Sequence, residues 1–198
     1  MKSKLLYLSM FVLTLSACHN NSNSDTSAAT STDSTSHSST DSSAANNSGG
    51  MQKMADDSSF LVTANDIGMF EIKIGNLAQT NSQDAQVKEM ANMMVTDHTA
   101  MGKDVSTLAQ KKNVSLPDSL SSDMQKEYNK LKGLTGKKFD KEYASVNVKG
   151  HGGAITLFEK TSSDKDCSPE VQQLASSALP TLKKHKEHSD MLEKHVGM

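Results

Sequence analysis

Four stretches of this chain carry apolar residues at helical spacing, and none carries sustained apolar–polar alternation. That combination confines the folded part to helices packed on helices. The first stretch, about 57–78, puts Phe60, Ala64, Ile67, Ile74 and Ala78 on one face. The second, about 84–112, does the same with Val87, Met90, Met94, Met101, Val105 and Leu108. The polar link Thr80-Asn81-Ser82 between them predicts an antiparallel hairpin. A longer connection, 113–136, opens with Val114-Ser115-Leu116-Pro117 and holds a short helical piece near 123–131. The third long stretch, about 138–161, carries Phe139, Tyr143, Val146, Ala154, Leu157 and Phe158. Gly150, Gly152 and Gly153 lie inside it. Each costs a helix about 1 kcal/mol relative to alanine, so they predict close helix approach or a kink. The fourth, about 168–194, starts at Ser168-Pro169-Glu170, a cap followed by proline at the first helical position, and runs on Val171, Leu174, Ala175, Ala178, Leu182 and Leu192. Pro180 predicts a bend within it. Short link, long crossover, short link: the fold class is all-α, an antiparallel four-helix bundle over residues 56–196.

Upstream, residues 19–55 are Ser, Asn, Thr, Asp and Ala with almost no apolar content. Such a segment buries too little surface to offset its chain entropy, and it reads as a disordered tether with a reach of roughly 30–35 Å. Before it come Lys2 and Lys4, an apolar run from Leu5 to Leu15, and Leu15-Ser16-Ala17-Cys18. This resembles the lipobox of bacterial lipoproteins. The resemblance implies a signal peptide at 1–17, a lipid-bearing Cys18 and a tether at 18–55. It also implies membrane attachment through Cys18 in the cell envelope. His19 rather than Asp follows that cysteine, which in a Gram-negative host favours the periplasmic face of the outer membrane.

The whole sequence carries a net charge of −2, and about −4 once Lys2 and Lys4 are set aside. Every basic residue is lysine. Without arginine forks for phosphates and base edges, nucleic acid is excluded as a partner. With Cys18 taken by lipid, Cys167 has no partner for a structural disulfide; its position before a helix start predicts a somewhat lowered thiol pKa. No nucleophile motif, phosphate loop or CxxC pair is present, so nothing marks an enzyme.

The informative residues are ionisable ones lying on apolar stripes. Glu71 falls between Ile67 and Ile74, His98 between Met94 and Met101, and His185 between Leu182 and Leu192; His151 lies at the edge of the third stripe. A buried carboxylate is costly unless paired or bound to a cation, and imidazole and carboxylate groups converging from facing helices are what bundle metal sites use. Glu71, His98, His151 and His185 are the candidate metal ligands, with Asp97 and Glu159 as supporting carboxylates. The same side chains also fit a metal-free core network with Tyr143 or Asn147. Their unequal heights, roughly 6 Å between Glu71 and His98, count against a compact site. Met90, Met93, Met94 and Met101 near His98 read as core filler, although thioether and imidazole together suit Cu(I). His188 and His195 read as solvent-facing, and Lys183, Lys184 and Lys186 as a solvated face.

Taken in order, Phe60 and Gly68-Met69-Phe70-Glu71, Met94-Val95-Thr96-Asp97-His98-Thr99, Phe139-Asp140-Lys141-Glu142-Tyr143, His151 with Phe158-Glu159, and Leu179-Pro180-Thr181-Leu182 with His185 resemble a bacterial envelope family. This is domain-of-unknown-function family 4142, which is assigned a ferritin-like helical fold. The resemblance implies a bundle and brings no activity. The wider ferritin-like likeness would imply a di-iron site built on two Glu-x-x-His pairs. Here Val95 stands three residues before His98 and Leu182 three before His185. Zinc or copper therefore fits the donors better than di-iron. Three functions follow: a lipid-anchored envelope bundle that binds or sequesters a transition metal, a metal-free structural or interaction module, and, last, a metal-dependent oxidoreductase.

Overall fold

The short links act as tight hinges because each is held by its own side chains. Asp84 closes the first: its Oδ1 accepts from the Gln86 and Val87 amides at 2.8 and 3.2 Å, the bonding of a helix N-cap. The computed structural model describes residues 43–198, with side chains for Lys53, Met54 and 56–198. It contains α1 (Ser43–Asn81), α2 (Ala85–Lys111), α3 (Ser122–Lys132), α4 (Gly136–Ser163) and α5 (Pro169–Gly197), with no strand among the described residues. Cys18 and the expected signal peptide lie outside the described residues. None of the described helices is long and apolar enough to cross a membrane.

Packing follows the hairpin order. α1 pairs mainly with α2 and α4 with α5, while α2 meets α5 and α1 meets α4 across the bundle. The short α3 of the crossover lies chiefly against α1. The tight α1–α2 contact depends on Gly75, where an added Cβ would stand 2.7 Å from Val95 Cγ2 and 3.2 Å from the Ala91 carbonyl oxygen. Of the three α4 glycines, Gly150 also meets a neighbouring helix closely, against Glu71, whereas Gly153 has open space around it.

α1 begins well before the expected start near residue 57, and the boundary expected at 55 falls inside it. Once the packed part of a helix is nucleated, extending it backwards is cheap even for poor helix formers. Lys53 also anchors this part, its Nζ donating to the Lys165 carbonyl at 2.8 Å. α5 continues through Pro180 to Gly197.

The core is divided. One apolar cluster, with Phe70, Ile74, Val87, Met94, Phe139 and Leu192, fills the end nearest the α1–α2 link. The other, with Phe60, Leu61, Val105, Phe158, Val171 and Leu182, fills the opposite end. Between them, each long helix contributes a buried polar residue: Glu71, His98, Asn147 with His151, and His185 with Ser189. An ion network ties down the far end. Buried Asp57 accepts from the Ser168 amide at 2.8 Å and pairs with Lys112 at 2.9 Å, joining α1, α2 and the start of α5. Burial alone would raise the Asp57 pKa, but these bonds hold it below the ordinary value.

Candidate metal centre

Three imidazoles meet in the polar seam. The ring centroids of His98 and His151 are 5.7 Å apart, those of His98 and His185 5.2 Å, and those of His151 and His185 5.2 Å. One nitrogen of each ring lies within 4.8 Å of one nitrogen of the other two. Four-coordinate zinc, with bonds of about 2.0–2.1 Å, sets its ligand nitrogens about 3.4 Å apart, so the rings need draw in by less than about 1 Å each.

The height problem is solved by side-chain direction. In a helix the Cα–Cβ bond tilts toward the N-terminus, so residues on antiparallel neighbours lean toward opposite ends. Counted from the middle of the α4–α5 link, His185 lies about four residues, or roughly 6 Å, further down than His151. His151 leans down and His185 leans up, and the rings converge. Glu71 and His98 lean toward each other's level in the same way.

Neighbouring groups orient two of the rings. His151 Nδ1 donates to the Asn147 carbonyl at 2.9 Å, which leaves Nε2 with a lone pair. His185 Nε2 donates to Asp97 Oδ2 at 2.9 Å, which leaves Nδ1 with a lone pair. A ligating histidine is usually held in this way, through its other nitrogen by a carbonyl or carboxylate. The inward atoms His98 Nε2, His151 Nε2 and His185 Nδ1 are all buried without a hydrogen-bond partner.

Electrostatics keep the rings in the form that binds metal. Burial, with His151 and His185 close by, lowers the His98 pKa to about 3. Burial lowers that of His151 to about 4, against the opposing bond to Asn147. His185 is lowered too by burial, although Asp97 resists. All three are therefore neutral at pH 7.

Glu71 is 2 % exposed and is not among the three groups that converge. It lies one step away: a Cβ at Gly150, next to His151, would stand 3.3 Å from its Oε1. The missing side chain at Gly150 is what leaves it room. Glu71 Oε2, the Tyr143 hydroxyl and Asn147 Oδ1 are buried without partners. Burial raises the Glu71 pKa to about 8, so this carboxyl is protonated at neutral pH in the metal-free protein. Tyr143 is raised by burial and then by Glu71.

Other expectations are corrected. Glu159 is not near the imidazoles; it is half-exposed and pairs with Lys183 at 2.8 Å, because its place on α4 is turned outward. Cys167 is buried, and burial followed by nearby Asp164, Asp57, Asp56 and Asp166 raises its thiol pKa, opposite to the expected helix-start effect. His195 faces α2 rather than open solvent, its Nε2 donating to Asp84 Oδ2 at 2.8 Å. His188 is likewise half-buried. Asn147 orients His151 through its backbone carbonyl, a group every residue one turn before a histidine carries, so no side-chain signal marks that contact.

A cleft of about 320 Å³ between α1, α2 and α5 reaches Asp97 and His98 from outside, bordered by Gly68, Met69, Met101 and Gly102. It gives the seam a side facing the surroundings.

Fold and site together define a helical bundle whose buried mid-layer carries a triple-histidine cluster able to hold a metal ion. The chain belongs to the family described as a domain of unknown function, DUF4142, which matches residues 40–192. No curated protein matches it. Its structure is similar to the crystal structure of a DUF305 fragment from Deinococcus radiodurans, with a TM-score of 0.60 and 14% identity over 72% of this chain and 95% of that one. At that identity the likeness speaks for the fold alone.

Proposed function

We propose that this bundle binds a divalent transition metal of the zinc–copper range through His98 Nε2, His151 Nε2 and His185 Nδ1. Asp97 and the Asn147 carbonyl position two of those rings. The observation that carries the reading is the set of three buried ring nitrogens without partners, on three different helices. An unsatisfied buried polar atom costs about 1–3 kcal/mol, and one ion bound between the three rings would satisfy all three nitrogens together. Here the outward nitrogens of His151 and His185 are paired and the inward ones are not. Three imidazoles without thiolate suit zinc or Cu(II), and no Glu-x-x-His pair supports di-iron. The role is binding or sequestration, with no group in the seam placed as a nucleophile.

Envelope attachment through Cys18 belongs to the same proposal and is supported by the Leu15-Ser16-Ala17-Cys18 sequence. A Cys18→Ser chain should then leave the membrane fraction.

The test of the metal reading is titration of untagged protein with zinc and with Co(II), whose visible spectrum reports ligand number. One ion per chain should bind, and His98→Ala and His185→Ala should each abolish it. Failure of the wild type to bind either ion more tightly than micromolar would overturn the reading.

A further inference from the structure

A further pair of potential donor atoms meets between α2 and α5, from residues that the triple-histidine site does not use. His188 Nδ1 is 3.2 Å from Met93 Sδ. The two atoms border a groove between α2 and α5 that Met90 and Met191 also line. Its place follows from helical spacing: Met90 and Met93 are three apart on α2, as are His188 and Met191 on α5, so each pair shares a face. Met191 is 52% exposed, so the groove is open on that side.

A thioether sulfur has lone pairs and nothing to donate. Against it, an imidazole nitrogen either gives a weak N–H···S bond or presents a second lone pair. In the second case the contact brings together two donors that share an affinity for one kind of ion. Sulfur from methionine is too soft a donor to hold zinc well, and it selects Cu(I). Glu89 and Lys184 at the groove's edge offset each other in charge, so selection rests on the soft donors and not on a field.

We propose that His188 Nδ1 and Met93 Sδ, with Met191 or Met90 as a third donor, form a surface site for a soft monovalent ion, Cu(I). It is separate from the buried site in residues and in chemistry: nitrogen only inside, sulfur with nitrogen outside. It does not depend on the buried site binding anything.

The experiment uses the full chain and two probes, Cu(I) in anaerobic competition with a colorimetric chelator and Ag(I) as a redox-inert substitute. Methionine methyl resonances are recorded during the silver titration. The Met93 methyl should shift with the first equivalent of Ag(I). Met93→Leu, which conserves side-chain volume, and His188→Gln should each weaken Cu(I) binding at least tenfold while leaving zinc or Co(II) uptake unchanged. His98→Ala should leave Cu(I) affinity unchanged. The proposal is overturned if wild-type protein does not compete for Cu(I), if Met93→Leu and His188→Gln compete as well as wild type, or if silver moves other methionine methyls and not Met93.

Discussion

Replacing Glu71 by Gln removes one ionisable group from the seam, and the structure says how stability should then depend on pH. Folded Glu71 keeps its proton up to about pH 8, whereas its unperturbed pKa is 4.5. Between those values the folded chain binds one more proton than the unfolded chain. Stability from this group is thus fully present below 4.5 and falls as pH rises, by about 1.4 kcal/mol per unit, until the folded pKa is passed. The histidines act in the opposite sense and elsewhere. Lowered to about 3 and 4, His98 and His151 stay neutral in the fold while the unfolded rings protonate below about 6.5. Their contribution is lost as pH falls from 6.5. The two slopes cancel where the unfolded His98 and His151 together hold about one proton, so on these groups metal-free wild-type protein should be most stable near or just above pH 6.5, with His185, also lowered, acting in the same direction. Urea unfolding at pH 6.0 and 7.5 with a chelator present isolates Glu71, because every other group cancels between wild type and Glu71→Gln. The variant should gain on the wild type by about 2 kcal/mol between those two pH values, the 1.5-unit span times the slope above. Parallel pH profiles for the two proteins would refute a buried, protonated Glu71.

Three further outcomes follow from single contacts. Asp97→Asn keeps the shape but weakens the bond that orients His185, so metal affinity should drop about 10–100-fold with the helical circular-dichroism spectrum unchanged; equal affinity would remove Asp97 from the site. Gly75→Ala puts a methyl 2.7 Å from Val95 Cγ2 and should destabilise the fold by about 1–3 kcal/mol in chemical denaturation, with Val95→Ala in the same chain recovering part of the loss, since the Ala91 carbonyl oxygen stays 3.2 Å away. Asp57→Asn leaves Lys112 without its closest partner and weakens the bond to Ser168, for a loss of about 1–3 kcal/mol measured as a fall in the denaturation midpoint.

Much of this molecule is local and so was legible in the sequence. Helical period, Pro169 at the first turn and the polar links predict four long helices and their pairing, because those signals act within a few residues; the capping bond expected of the Ser168 hydroxyl is not formed. Glu71, His98, His151 and His185 stand out in the same way, as polar side chains on apolar stripes. The start of α1 was not legible, since it depends on an extension that carries no period and on Lys53 reaching the α4–α5 link.

Sequence alone thus determined which residues face inward, because facing is set by 3.6-residue geometry within one helix. Whether those residues meet was left to the tertiary structure. The opposite lean of antiparallel side chains brings His98, His151 and His185 to one level, while Glu71 stays outside the converging set, beside Gly150. Distances between helices come from packing and register, quantities that no single helix contains.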